Sequence, residues 1–286
     1  YVFNISLFLK RYKNEVNMRY YINIILDLIF FICIIKFISY KHIVSDIENF
    51  SKHGFILKKK IFTEEEVNKL DKFIQQRIEK EASVKNIKTS SGKLSMNIWN
   101  KASDDLFGRF STNERIVNPM QEFLKDEIYH YHSKIIFKKP GDGGFDWHQD
   151  YGYWYHNACL YPDMGSCFIM IDQANKANGC LKVLQGSHKV GRISHDNRET
   201  GEKTADMERI VELEKRHESI FIEADKGDVL FFHSNLLHSS DANKSDNSRR
   251  TLIVCFNTKT NNPYKEIAHS SYTPLIKSSY DSITKY

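Results

Sequence analysis

The sequence predicts a mainly β fold with flanking helices, an antiparallel jelly roll whose helices pack outside one sheet. Three observations predict it. From residue 128 onward, short β-branched and aromatic runs alternate with turn residues; no helix of comparable length separates them; and the strongest helical pattern lies ahead of them, from residue 63. At 286 residues and 41% hydrophobic, the chain can bury one sizeable core, and a single domain of about 200–250 residues is an ordinary size for such a fold.

The domain is expected over residues 45–286, with 1–44 set apart as an apolar extension. The chain opens on Tyr1 rather than Met, so its first residues read as a fragment or a misplaced start, with Met18 as an alternative. Residues 21–38 form a strongly apolar run whose length suits a membrane span. However, Asp27 and Lys36 interrupt the run, and a central Asp costs roughly 2.5–3.5 kcal/mol on insertion scales. Basic residues flank it at Lys10, Arg11, Lys13, Arg19 and Lys41. It is compatible with a membrane anchor, a buried or partner-bound helix, or translated non-coding sequence.

Gly54-Phe55-Ile56-Leu57 reads as an edge strand. Thr63-Glu64-Glu65-Glu66 has capping-box spacing, and Val67, Leu70, Phe73, Ile74 and Ile78 follow at helical intervals. A second helix is expected from Ser111 or Thr112, with Ile116, Met120, Phe123 and Leu124 on its apolar side. The intervening Ala82–Phe110 segment is polar with scattered aromatics and reads as a loop closing over a pocket. Strands are expected at Lys134–Lys138, Cys167–Asp172, Leu181–Leu184, Ile220–Glu223, Val229–His233 and Thr251–Phe256, separated by Gly-, Asn- and Asp-containing turns. Ile193–Glu218 is too long and charged for a tight turn. It reads as an insertion at the barrel mouth, with a helix over Ala205–Lys215.

The 41 basic and 36 acidic residues are spread through the chain, net charge +5, with no basic block carrying interleaved aromatics. A nucleic-acid partner is therefore not expected. Cys33, Cys159, Cys167, Cys180 and Cys255 form no CxxC pair, which favours a reduced, cytoplasmic compartment over a disulfide framework or thiolate zinc site.

The candidate chemistry lies in Phe145-Asp146-Trp147-His148-Gln149-Asp150-Tyr151 together with Leu237-His238-Ser239-Ser240. On an extended segment His148 and Asp150 leave the same face, and a later histidine can close a three-point site. Two imidazoles and one carboxylate on one face of an octahedral Fe(II) leave positions open for a co-substrate and oxygen. Alone, a His-x-Asp triplet among 12 His and 36 acidic residues arises by chance and reads equally as a surface turn.

Its context is more specific. His148-Gln149-Asp150, the run Asn178-Gly179-Cys180-Leu181 followed by Gly186-Ser187-His188, and His238-Ser239-Ser240 followed by Asn243 and Arg249-Arg250 resemble the phytanoyl-CoA dioxygenase family, in its order and spacing, over residues 50–257. The resemblance implies a double-stranded β-helix, cupin-like, acting as an Fe(II)- and 2-oxoglutarate-dependent dioxygenase. Such an enzyme uses O2 to hydroxylate an unactivated C–H bond of a small-molecule substrate, releasing succinate and CO2. It implies iron ligands at His148, Asp150 and His238. Arg249 would clamp the far carboxylate of 2-oxoglutarate, with Arg250 the competing neighbour, since adjacent strand residues face opposite ways. Ser240 would help hold the same group. Lys101, Lys134 and Phe168 match further co-substrate or pocket positions, against the plainer readings of solvated lysines and ordinary core; Lys134 stands where relatives often carry an apolar residue. Halogenating relatives replace the carboxylate by a small residue, so Asp150 argues for hydroxylation. Phe145, Trp147, Tyr151, Tyr153, Trp154 and Tyr155 read as a substrate wall or as packing of the barrel rim. Two other functions fit the same fold: a demethylase of nucleic acid or protein, and a non-catalytic binding or membrane-tethered scaffold.

Overall fold

In the computed structural model, residues 15–78, 85–89, 91–197, 203–267 and 269–286 are described. The chain divides into two compact units, residues 1–48 and 49–286. In the first, the helix α1 (Glu15–His53) begins, and Leu26, Leu28, Ile29, Phe30, Phe31 and Ile32 are exposed on it. Among the described residues, no helix is long and apolar enough to cross a membrane. The basic residues at 10, 11 and 13 lie outside the described part.

The second unit is a jelly roll of two antiparallel sheets. The larger has the strand order β1 (Phe55–Lys58), β11 (Val229–His233), β6 (Met164–Met170), β13 (Arg249–Thr258), β4 (Ile128–Lys138), β3 (Gly92–Trp99) and β2 (Lys85–Thr89). The smaller runs β10 (Ser219–Ile222), β7 (Leu181–Leu184), β12 (His238–Ser240) and β5 (Phe145–His148). Strand alternation sorts the side chains. Phe168 and Met170 on β6, Leu230 and Phe232 on β11, and Ile253 and Cys255 on β13 meet Leu181 and Val183 of the smaller sheet in one core. Their neighbours face the other way, toward the helices. There Phe231 stands edge-on to Phe123, with ring centroids 5.6 Å apart. The central strand β6 is buried along its whole length, as a strand covered on both faces must be.

The helices are α2 (Glu64–Ile78), α3 (Leu106–Ser111) and α4 (Glu114–Leu124). The expected capping box is present: the Thr63 N–H donates to Glu66 Oε2 (2.9 Å) and the Glu66 N–H to Thr63 Oγ1 (3.2 Å). Arg115 of α4 then grips the same carboxylate through both arms of its guanidinium, at 2.7 and 2.9 Å. The second helix starts at Glu114 rather than Ser111, because Asn113 caps it and residues 106–111 form a helix of their own.

The Ala82–Phe110 segment is not a loop in its described part. β2 and β3 form a hairpin that extends the larger sheet beyond β4, with Met96 opposite Ile136 and Ile98 opposite Lys134. Lys85, Lys88 and Lys93 gave this pair its polar look, as befits strands at a solvent-facing edge. The insertion at 193–218 carries a two-stranded ribbon, β8 (His195–Asn197) with β9 (Lys203–Ala205), and then a helix α6 (Met207–Glu214) capped by Asp206; residues 198–202 lie outside the described part. Ile193, Ala205 and Ile210 pack there with Trp147, Leu184 and Leu237.

Candidate metal centre

The centre forms where the two sheets face each other. His148 ends β5 and His238 begins β12; they are cross-strand partners, with ring centroids 4.1 Å apart. Asp150 lies not on the strand but at the first position of a short helix, α5 (Asp150–Trp154), behind an extended Gln149 (φ −110°, ψ 135°). One ligand atom from each of His148, Asp150 and His238 lies within 4.8 Å of the other two, and all three residues are buried. The His238 Nε2 to Asp150 Oδ1 distance is 3.9 Å.

Hydrogen bonds aim these atoms. The Nδ1 of His148 lies 2.8 Å from the Asp146 carbonyl and that of His238 2.9 Å from the Leu236 carbonyl. A carbonyl only accepts, so each Nδ1 carries the proton and each Nε2 keeps a free lone pair. Ser166 donates to Asp150 Oδ2 at 2.8 Å, leaving Oδ1 toward the histidines. Burial, then the neighbouring His238, pushes His148 well below the ordinary imidazole pKa, and burial lowers His238. Both rings are therefore neutral, the form that binds a metal.

Gln149, which the sequence offered only as the spacer between two ligands, anchors the turn. Its side chain donates to the Gly191 and Asn235 carbonyls and accepts from the Ile193 N–H, while its own N–H donates to His195 Nε2. The insertion thereby fixes the angle between strand and helix on which the triad depends.

A second buried group lies at the edge of the same core. Arg249 points inward and is 3% exposed; Arg250 points outward and forks onto Asp172 and Asp71. The Arg249 Nη1 donates to Thr251 Oγ1 at 3.3 Å, its Nε has no partner, and among the described residues no carboxylate pairs with it. Directly across the β4–β13 ladder stands Lys138, 0% exposed. It donates to Ser240 Oγ (2.9 Å), the Gly179 carbonyl (3.3 Å) and the Asp241 carbonyl. Burial, then Arg249, lowers the Lys138 pKa to about 7, and burial lowers Arg249 to about 10. Two buried basic groups that make no ion pair among the described residues fit an anionic ligand, which would favour the charged form of both. Lys138 carried no sequence signal, because its partners lie 41 and 102 residues away.

The remaining candidates separate. Phe168 stands edge-on to Phe232 (4.9 Å), whose ring in turn meets His238 (5.0 Å), so it backs the centre through one intervening ring. Lys134 is half-buried on the inner face of β4, close enough for its charge to lower His148 and His238 further. Lys101 is exposed beyond the end of β3 and is not brought to the buried group. Of the aromatic cluster, Phe145 and Tyr153 meet the His148 ring at 4.6 and 5.9 Å. Trp147, Tyr151 and Trp154 are core, and Tyr155 is exposed.

A jelly roll with two neutral histidines and a carboxylate converging inside it, and a buried guanidinium on the inward face of β13, has the donor set of a metal-dependent class. The sequence profile of the family described as Phytanoyl-CoA dioxygenase (PhyH) matches residues 50–251, and the chain belongs to that family. Among curated relatives, a probable alpha-ketoglutarate-dependent hypophosphite dioxygenase of Stutzerimonas stutzeri is 33% identical over 144 residues, 50% of this chain and 49% of that protein. The L-proline trans-4-hydroxylase of Streptomyces griseoviridis is 27% identical over 191 residues, 61% of this chain and 70% of that one. The chain thus spans about half the length of the first relative and more of the second. The crystal structure of EctD from S. alaskensis with 2-oxoglutarate and 5-hydroxyectoine superposes with a TM-score of 0.68 at 21% identity, covering 82% of this chain and 86% of that one.

Proposed function

We propose that the domain, over residues 45–286, is an Fe(II)- and 2-oxoglutarate-dependent dioxygenase that hydroxylates a C–H bond of a small molecule. His148, Asp150 and His238 would hold the iron, and Arg249 with Ser240 the far carboxylate of the keto acid. One observation carries this assignment: three buried ligand atoms lie within 4.8 Å of one another, and the buried guanidinium of Arg249, inward-facing on β13, makes no ion pair with a carboxylate among the described residues. Iron bound there would activate dioxygen as 2-oxoglutarate is decarboxylated to succinate and CO2.

The protein's own residues supply position and shielding. The backbone carbonyls of Asp146 and Leu236 keep both Nε2 lone pairs turned to the metal position, and Ser166 keeps Asp150 from rotating. Arg249 offers a planar fork to a carboxylate, which sets the keto acid's direction. Phe145 and Tyr153 against His148, and Phe232 against His238 with Phe168 behind it, set aromatic side chains around the two imidazoles and limit water there. With iron bound, the Asp150 carboxylate would serve as a ligand where halogenating relatives carry a small residue, which supports hydroxylation.

The relatives' named substrates, L-proline and hypophosphite, set a first panel of small polar compounds. Succinate formation, measured with Fe(II), O2 and 2-oxoglutarate across that panel, tests the proposal. Iron-dependent release stimulated by one compound is expected. No release with any compound, together with no affinity for iron, would contradict it.

A further inference from the structure

We infer that Lys138 is a positioning residue that makes the keto-acid site selective for a carboxylate tail, acting through Ser240 and beside Arg249. The inference rests on the co-substrate assignment above and deepens it.

An ammonium group has three N–H donors and no acceptor. The three donors of Lys138 match three acceptors, Ser240 Oγ, Gly179 O and Asp241 O, so it has none left for a ligand. Its effect is relayed. Because Ser240 Oγ accepts from Nζ, the hydroxyl proton of Ser240 is directed elsewhere, and Ser240 becomes a donor to whatever anion Arg249 attracts. All three acceptors of Lys138 are neutral, so none of them forms an ion pair with it. The nearby carboxylates of Asp241 and Asp142 make no ion pair with it among the described residues, and Asp142 is occupied by the Lys139 N–H at 2.8 Å.

The surroundings are built to admit this lysine. Gly179 has φ +71°, and a Cβ there would stand 2.3 Å from the Asp241 carbonyl oxygen and 2.9 Å from Lys138 Nζ. A side chain at 179 would therefore displace Lys138 or the Asp241 carbonyl that it donates to. Two buried like charges paired directly across a ladder repel each other. A carboxylate bound beside them relieves both, whereas a methyl group in its place leaves both unrelieved.

The test compares two keto acids of equal chain length, 2-oxoglutarate and 2-oxopentanoate, which lacks the terminal carboxylate. Their equilibrium binding is measured anaerobically on the Fe(II)-loaded full chain, as wild type, Lys138→Met and Lys138→Gln. Wild type is expected to prefer 2-oxoglutarate. Both variants should lose about tenfold or more of their affinity for 2-oxoglutarate while 2-oxopentanoate changes less than about twofold. Equal losses for the two acids, or restoration by Gln, which keeps hydrogen bonds to the carbonyls without charge, would reduce Lys138 to a scaffold residue and overturn the inference. Should the Met variant not fold, the Gln variant alone decides. Wild type that binds neither acid overturns the co-substrate assignment itself; wild type that discriminates, beside variants that discriminate as well, overturns only the role of Lys138.

Discussion

Arg249 is costly to the empty protein. A guanidinium buried to 3% exposure with one side-chain hydrogen bond, its Nε unpartnered and Lys138 opposite, forfeits hydration without recovering it in an ion pair. Arg249→Met should therefore leave the thermal stability of the ligand-free protein equal or higher, while affinity for 2-oxoglutarate falls by roughly 30-fold or more. Thermal unfolding with and without the keto acid checks both halves; a variant that is destabilised yet keeps its affinity would contradict the account. Strand parity showed only that one of Arg249 and Arg250 faces inward, and the resemblance, not parity, favoured Arg249; Asp172 with Asp71 claims Arg250 as the outward one. The buried partner Lys138 was not legible. It meets Arg249 only through pairing of β4 with β13, and no local spacing encodes a contact across that separation.

At the scale of elements, the link between α2 and α4 is the clearest case of sequence chemistry becoming packing. The capping box that starts α2 places Glu66 where Arg115 can grip it with both arms, at side-chain exposures of 3% and 6%. Breaking such a pair strands a buried charge, so Glu66→Gln should cost about 3 kcal/mol or more. Burial works to raise the Glu66 pKa, but the hydrogen bonds from Arg115 and the Thr63 backbone outweigh it, and the net shift is downward. A carboxylate depressed on folding contributes stability that is present above its unfolded pKa and lost as pH falls through the folded value. Denaturant unfolding between about pH 3 and 6 should show a shallower acid-side slope in the variant; an unchanged slope would place the acid sensitivity elsewhere. The same scale holds the two misreadings of local structure. The β2–β3 hairpin looked like a loop because its outward positions are lysines, and Asp150 was placed on a strand although Gln149 turns the chain into α5 one residue earlier. His148 and Asp150 nonetheless share a side, because the spacer Gln149 is itself extended before the helix begins.

For the molecule as a whole, the jelly roll was readable from regularly spaced short strands and the turns between them. Side-chain alternation then explains why one sheet face is apolar against the helices and the other mixes hydrocarbon with the polar residues of the centre. The insertion at 193–218 was seen as an insertion, but not as the anchor of the metal turn, because Gln149 reaches it only in three dimensions. The substrate was not readable: the aromatic contacts beside His148, Phe145 and Tyr153, specify no one small molecule. The most direct measurement is anaerobic equilibrium titration of Fe(II) into wild type, His148→Ala and Asp150→Ala, with 2-oxoglutarate titrated afterwards. Wild type should bind one Fe(II) per chain and then the keto acid, and both variants should lose the metal site; an Asp150→Ala protein that binds iron as wild type does, or wild type with no iron affinity, would contradict the account.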